Sequence, residues 1–163
     1  MQDPIQGRVD GGSPVSVHFV NNVLAAAASY IEEDPDTARD VLAELGAFLS
    51  HRLRASRVVS PAEELEHVRV YMRLEQARFP GRIEAELPAA GDLPAARIAP
   101  GDVQAPLAAA LERWLAQQPG RVRVALRARG DALDLQLDRP DAPGEAGERL
   151  RIPWGLAAQG RVA

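Results

Sequence analysis

VSVHFVNNVLAAAASYIEEDPDTARDVLAELGAFLSHRLRASR, residues 15–57, reads as two helices joined by a break. In its first half Val15, Phe19, Val20, Val23, Leu24, Ala27, Ala28 and Ile31 recur at helical spacing. EEDPD at 32–36 ends that pattern, with Asp34 placed to cap and Pro35 to open the next helix. The second half carries Val41, Leu42, Leu45, Phe48, Leu49 and Leu53, then an Arg-rich end where Arg52, Arg54 and Arg57 suit the negative pole of a helix. Two antiparallel helices of this length leave an apolar stripe unburied, and pairing with a second hairpin into a four-helix bundle covers it. The stretch therefore predicts a homodimer.

Outward from the hairpin, residues 1–14 carry Gly7, Gly11, Gly12 and Pro14 among polar neighbours and read as a flexible lead-in. On the other side, Ser60-Pro61-Ala62-Glu63 is a capping box with proline at the first helical position, so a third helix starts at 61. Leu65, Val68, Met72 and Phe79 mark one of its faces, and Pro80-Gly81 stops it. Shorter elements follow: RIEAEL as a strand, a loop over 88–96, a helix over roughly 101–117, and the strands RVRVALRA and ALDLQLD. Gly130-Asp131 supplies the hairpin turn between the last two, whose apolar faces are Val122, Val124, Leu126 and Leu133, Leu135, Leu137. The chain thus divides into a lead-in (1–14), a hairpin (15–57) and an α+β unit (58–163), with the role of 139–163 open.

Composition removes several chemistries. The 163 residues hold no Cys, and all 19 basic residues are Arg. Thiolate zinc sites, thiol nucleophiles, Walker-type phosphate loops and Schiff-base chemistry are excluded, since each needs a thiol or a primary amine. A net charge of -4 argues against a nucleic-acid groove. Neither a membrane-spanning apolar run nor a secretory signal is present, so a cytoplasmic location is the expectation.

Three histidines remain for proton or phosphoryl traffic near neutral pH: His18, His51 and His67. His18 shares a polar stripe with Asn22, Ala25 and Ser29, which directs its imidazole to solvent. Counting outward from the turn near Asp34 brings Ser50 and His51 level with His18 and sets Arg52 and Arg54 within a turn, where guanidinium groups suit a phosphoryl group or a partner's acidic pocket. A helix-end role for these arginines is equally open. His51 reads as a packing residue and His67 as a histidine on a solvated face. The adjacent pairs Glu32-Glu33 and Glu63-Glu64 diverge on a helix and read as solvated charge.

Val17-His18-Phe19-Val20-Asn21-Asn22-Val23-Leu24 resembles the phospho-acceptor box PHFxFNxLN of the LytS-like sensor histidine kinases. VVSPAEELEHVRVYMRLEQARFPGRIEAEL is similar to that family's following helix and first strand, Tyr71 and Arg78-Phe79 included, and IAPGDVQAPLAAALERW falls where it carries an ATP-binding N box. The resemblance runs over roughly residues 15–137. It implies an α+β fold in which a dimeric four-helix bundle precedes a degenerate, truncated Bergerat-type α/β sandwich. The family's N-box Glu and Asn fall on Ala109 and Ala110, its His-Gly on Trp114-Leu115, and its adenine-reading Asp-Asn-Gly on Arg139-Pro140-Asp141. A methyl group ligates no metal. A glycine-rich lid would lie past residue 145, where little sequence remains.

The resemblance with these departures implies a histidine phosphotransferase of a two-component phosphorelay that does not bind ATP. His18 would be the phosphoryl acceptor and Asn22 would orient it. Phe19, Arg52 and Arg54 would meet the phosphate or the partner, with Phe19, Val20 and Val23 in the bundle or receiver contact. The partners would be a second copy of the chain and response-regulator receiver domains, which would bring the magnesium, with a histidine kinase as a further candidate. No cofactor, nucleic acid or membrane is expected. The competing reading is a non-catalytic, pseudokinase-like dimeric scaffold or inhibitor that binds a histidine kinase or a regulator.

Overall fold

A computed structural model describes residues 16–54, 58–142 and 147–154. The expected lead-in lies outside them. Helices α1 (Val17–Tyr30), α2 (Pro35–Arg54) and α3 (Pro61–Arg78) are followed by strand β1 (Ile83–Glu86), a 3-10 turn (Ala90–Asp92) and helix α4 (Gln104–Gln117). Strands β2 (Val122–Arg129), β3 (Ala132–Asp138) and β4 (Glu148–Pro153) complete the described chain. The fold is α+β, with four helices and a mixed four-stranded sheet.

Local chemistry sets the helix starts. Asp34 accepts from the Thr37 amide at 3.0 Å and from its hydroxyl at 2.7 Å, which begins α2. The capping box forms at α3: the Glu63 amide donates to Ser60 Oγ at 3.2 Å, and the Ser60 amide donates to Glu63 Oε2 at 2.7 Å.

The sheet runs β1-β2-β3-β4, with β1 parallel to β2 and the other pairs antiparallel. α4 forms the crossover between β1 and β2 and packs on β2 and β3. Val122, Val124, Leu126, Leu133, Leu135 and Leu137 are buried on the helix side, and Arg129 pairs with Ala132 across the Gly130 turn, as the alternation predicts. β4 was not evident from the sequence. Its Leu150 and Ile152 face Leu135 and Leu133, so residues 148–153 complete the chain's own sheet.

α3 is the central element. Pro61, Glu64, Leu65, His67, Val68, Tyr71, Met72, Leu74 and Glu75 are all buried, too many for one face, because the α1–α2 hairpin, α4 and β1 all pack on it. This alters the expectation for the hairpin. Val23, Ala27, Val41, Leu45 and Phe48 are buried within this chain rather than reserved for a second hairpin. Arg73 grips Glu44 of α2 through two hydrogen bonds of 2.5 and 3.0 Å, and the Tyr30 hydroxyl donates to the Ala77 carbonyl at 2.9 Å. Val17 and Leu24 of α1 and Ile31 at its C-cap, spaced seven apart, stay exposed with Leu42 and Leu53 of α2. No helix among the described residues is long and apolar enough to cross a membrane.

Candidate functional site

His18 stands in the first turn of α1, which Ser16 caps by accepting from the Phe19 amide at 3.4 Å. Its ring is exposed, as the polar stripe predicts. Asn22, one turn on, places its Nδ2 at 3.0 Å from His18 Nε2. An amide N–H directed at Nε2 selects the tautomer protonated at Nδ1 and leaves the lone pair on Nε2. That lone pair accepts the Asn22 N–H, so Nε2 becomes a nucleophile once the amide turns away.

His18 and Asn22 border a cavity of about 320 Å³ between α1, α3 and α4. Tyr71, Glu75 and Arg78 reach it from α3, at i, i+4 and i+7 on one helix face, and Leu111, Glu112 and Leu115 from α4. Arg78 Nη1 donates to Glu75 Oε1 at 2.7 Å. Burial raises the Glu75 carboxyl above the ordinary carboxylate range, opposed by Arg78 and by a hydrogen bond from Tyr71. Burial likewise raises the Tyr71 phenol. The Arg78 guanidinium stands 5.6 Å from the centroid of the Phe19 ring and 5.1 Å from that of Phe79.

Phe19 is half-buried against the chain's own Phe48 and Tyr71, with ring centroids at 5.3 and 5.5 Å. Val23 is wholly buried in the same core. Phe19 facing Phe48 agrees with the register counted from the Asp34 turn. Arg52 does not line the cavity; its Nη1 lies 2.8 Å from where a Cβ on Gly101 would stand. The side chain of Arg54 lies outside the described residues.

Two readings of single residues are overturned. His67 is 2% exposed, not solvated, and lies between Phe48 and His51, with ring centroids at 4.5 and 4.4 Å and near-parallel planes. Neither ring nitrogen has a hydrogen-bond partner, and burial, reinforced by His51 and Arg52, lowers its pKa to about 3. Glu64 is fully buried too. Its carboxylate accepts from the amides of Gly101, Val103 and Gln104 at 3.0–3.2 Å and so closes the N-terminus of α4. Glu63, its neighbour, is exposed and caps α3, as the capping box predicts. Spacing separated the two carboxylates correctly, but each found backbone donors.

On α4, Ala109 is exposed and Ala110 is wholly buried. Among the described residues no three His, Asp or Glu side chains come together as a metal site. Sequence reasoning did not single out Arg78, Glu75 and Tyr71 for the His18 site; their shared face on α3 was the available signal.

Residues 13–83 match the family model described as Histidine kinase. The chain is 29% identical over 131 residues to the sensor histidine kinase BtsS of Escherichia coli, covering 80% of this chain and 23% of that protein. It is 35% identical over 75 residues to the sensor histidine kinase/phosphatase LytS of Staphylococcus aureus, and 32% identical over 75 residues to the sensor protein LytS of Bacillus subtilis. Each LytS match covers 45% of this chain and 13% of the relative. The chain is therefore related to the sensor histidine kinases, and within them to the LytS-like group. It spans about a quarter or less of the length of these relatives.

Proposed function

We propose that the chain is a histidine phosphotransferase that carries a phosphoryl group between response-regulator aspartates on His18, without ATP. The observation that carries this reading is the exposed His18 ring with Asn22 Nδ2 3.0 Å from Nε2, at the mouth of a cavity. In the proposed step the Nε2 lone pair forms an N–P bond while the P–O bond to the donor aspartate breaks. The carboxylate leaves with the electron pair, and the ring proton passes to water. The Asn22 amide turns from Nε2 to a phosphoryl oxygen. An acyl phosphate is already energised, so no nucleotide enters, and the donor receiver brings its own magnesium. Ala109 and Ala110 support the ATP-independent reading, since their methyls stand where the family resemblance places a carboxylate and an amide.

We further infer a homodimer through the exposed row Val17, Leu24 and Ile31 with Leu42 and Leu53. That same row favours a second reading, a dimeric scaffold on which His18 carries no phosphate. Incubating the chain and its His18→Ala variant with a phosphorylated receiver domain separates the two. The relay predicts His18-dependent loss of phosphate from the donor; equal loss with both proteins supports the scaffold.

A further inference from the structure

We propose that Arg78 is the phosphoryl-binding residue of the His18 site, exchanging its ion pair with Glu75 for one with the phosphoryl group. The inference rests on the reading of His18 as a phosphoryl acceptor and adds the group that receives the charge.

A phosphoryl group on His18 brings up to two negative charges to the edge of a cavity that already holds Glu75 and Glu112. Arg78 is the one Arg among the described residues that line it. Its guanidinium is held near the residue next to His18 by the Phe19 ring, and its side chain is only 17% exposed, where a charge pair is weakly screened. A planar fork of donors fits phosphoryl oxygens in two-point fashion. Arg78 is also replaceable at its present partner. Glu75 keeps a hydrogen bond from Tyr71 when the guanidinium turns away, and its burial lets the carboxyl take a proton instead of standing as a bare charge. The i, i+4, i+7 series Tyr71, Glu75 and Arg78 thus forms a relay on one face of α3: hydroxyl, carboxyl, guanidinium. Arg52, beside Gly101, does not line this cavity.

The test uses the full chain phosphorylated chemically with phosphoramidate, so that it needs no biological donor. Phosphorus NMR then follows the His18-dependent phosphohistidine signal, identified by its loss in His18→Ala, against pH. In Arg78→Gln the midpoint for the second ionisation of the phosphoryl group should rise by about one pH unit, because the nearby cation no longer favours the dianion. Arg78→Lys should return part of that shift. The double variant E75Q/R78Q leaves no unpaired buried charge, and supplies the same comparison should Arg78→Gln fail to fold. A midpoint unchanged in both variants overturns the role of Arg78 and leaves His18 as acceptor. Absence of any His18-dependent signal overturns both, since the ring is then no phosphoryl acceptor.

Discussion

Asn22 lies one helical turn from His18 and holds its Nδ2 3.0 Å from the histidine Nε2. The pair makes a local device on α1: the helix supplies the spacing, and the amide selects which ring nitrogen keeps its lone pair. Asn22→Ala should leave the fold intact, since both side chains border solvent, and slow phosphoryl uptake by roughly tenfold through loss of orientation. Unchanged uptake by this variant would remove Asn22 from the site.

Glu64 is expected to be the most sensitive polar residue of the core. Glu64→Ala strips the buried Gly101 and Val103 amides and the part-buried Gln104 amide of their acceptor and should cost about 3 kcal/mol or more, while Glu64→Gln keeps one oxygen and should cost less. Urea unfolding measures both. Equal, small losses would mean that the α4 N-terminus finds another acceptor.

His67 gives stability a pH dependence of defined sign. Its folded pKa of about 3 lies below the ordinary value of 6.5, so between those values the unfolded chain binds a proton that the folded chain refuses. This contribution to stability is fully present above pH 6.5 and is lost as pH falls toward 3, with a slope of up to about 1.4 kcal/mol per unit. His67→Phe keeps a ring between Phe48 and His51 and should abolish that component. The wild type should lose up to about 2 kcal/mol more than His67→Phe between pH 7.5 and pH 5. Parallel losses in the two proteins would contradict the assignment.

The hairpin surface separates assembly from folding. Leu24 and Ile31 are 44% and 59% exposed, whereas Leu45 is 5% exposed within the chain's own core. Leu24→Glu with Ile31→Glu should convert a dimer into a folded monomer in ultracentrifugation at micromolar protein. Leu45→Ala should instead lower unfolding stability by about 2–5 kcal/mol. A wild-type monomer at that concentration would refute the dimer.

Features encoded over a few residues were legible in the sequence. The EEDPD break, the Ser60–Glu63 box, the Gly130 turn and the alternation of β2 and β3 each rest on chemistry between near neighbours, and each formed. So did the His18–Asn22 pair, because an i, i+4 relation on a helix is local. What escaped depends on distant packing. α3 looks one-faced until both the hairpin and α4 are set against it, and that enclosure buries Glu64 and His67 and brings Glu75 and Arg78 to His18. The hairpin count did not place the Arg52 side chain, whose Nη1 lies beside Gly101. β4 went unread because it is a six-residue edge strand behind a Pro- and Gly-rich segment, with Ile152 its one buried side chain.

Transfer from a labelled receiver decides most directly whether this chain passes a phosphoryl group on. The chain and its His18→Ala variant are mixed, without nucleotide, with a response-regulator receiver carrying labelled aspartyl phosphate and magnesium. The relay predicts base-stable, acid-labile label on the wild-type chain, none on His18→Ala, and onward passage to a second receiver. Label absent from the wild type, with donor phosphate lost at the same rate in both mixtures, would contradict it.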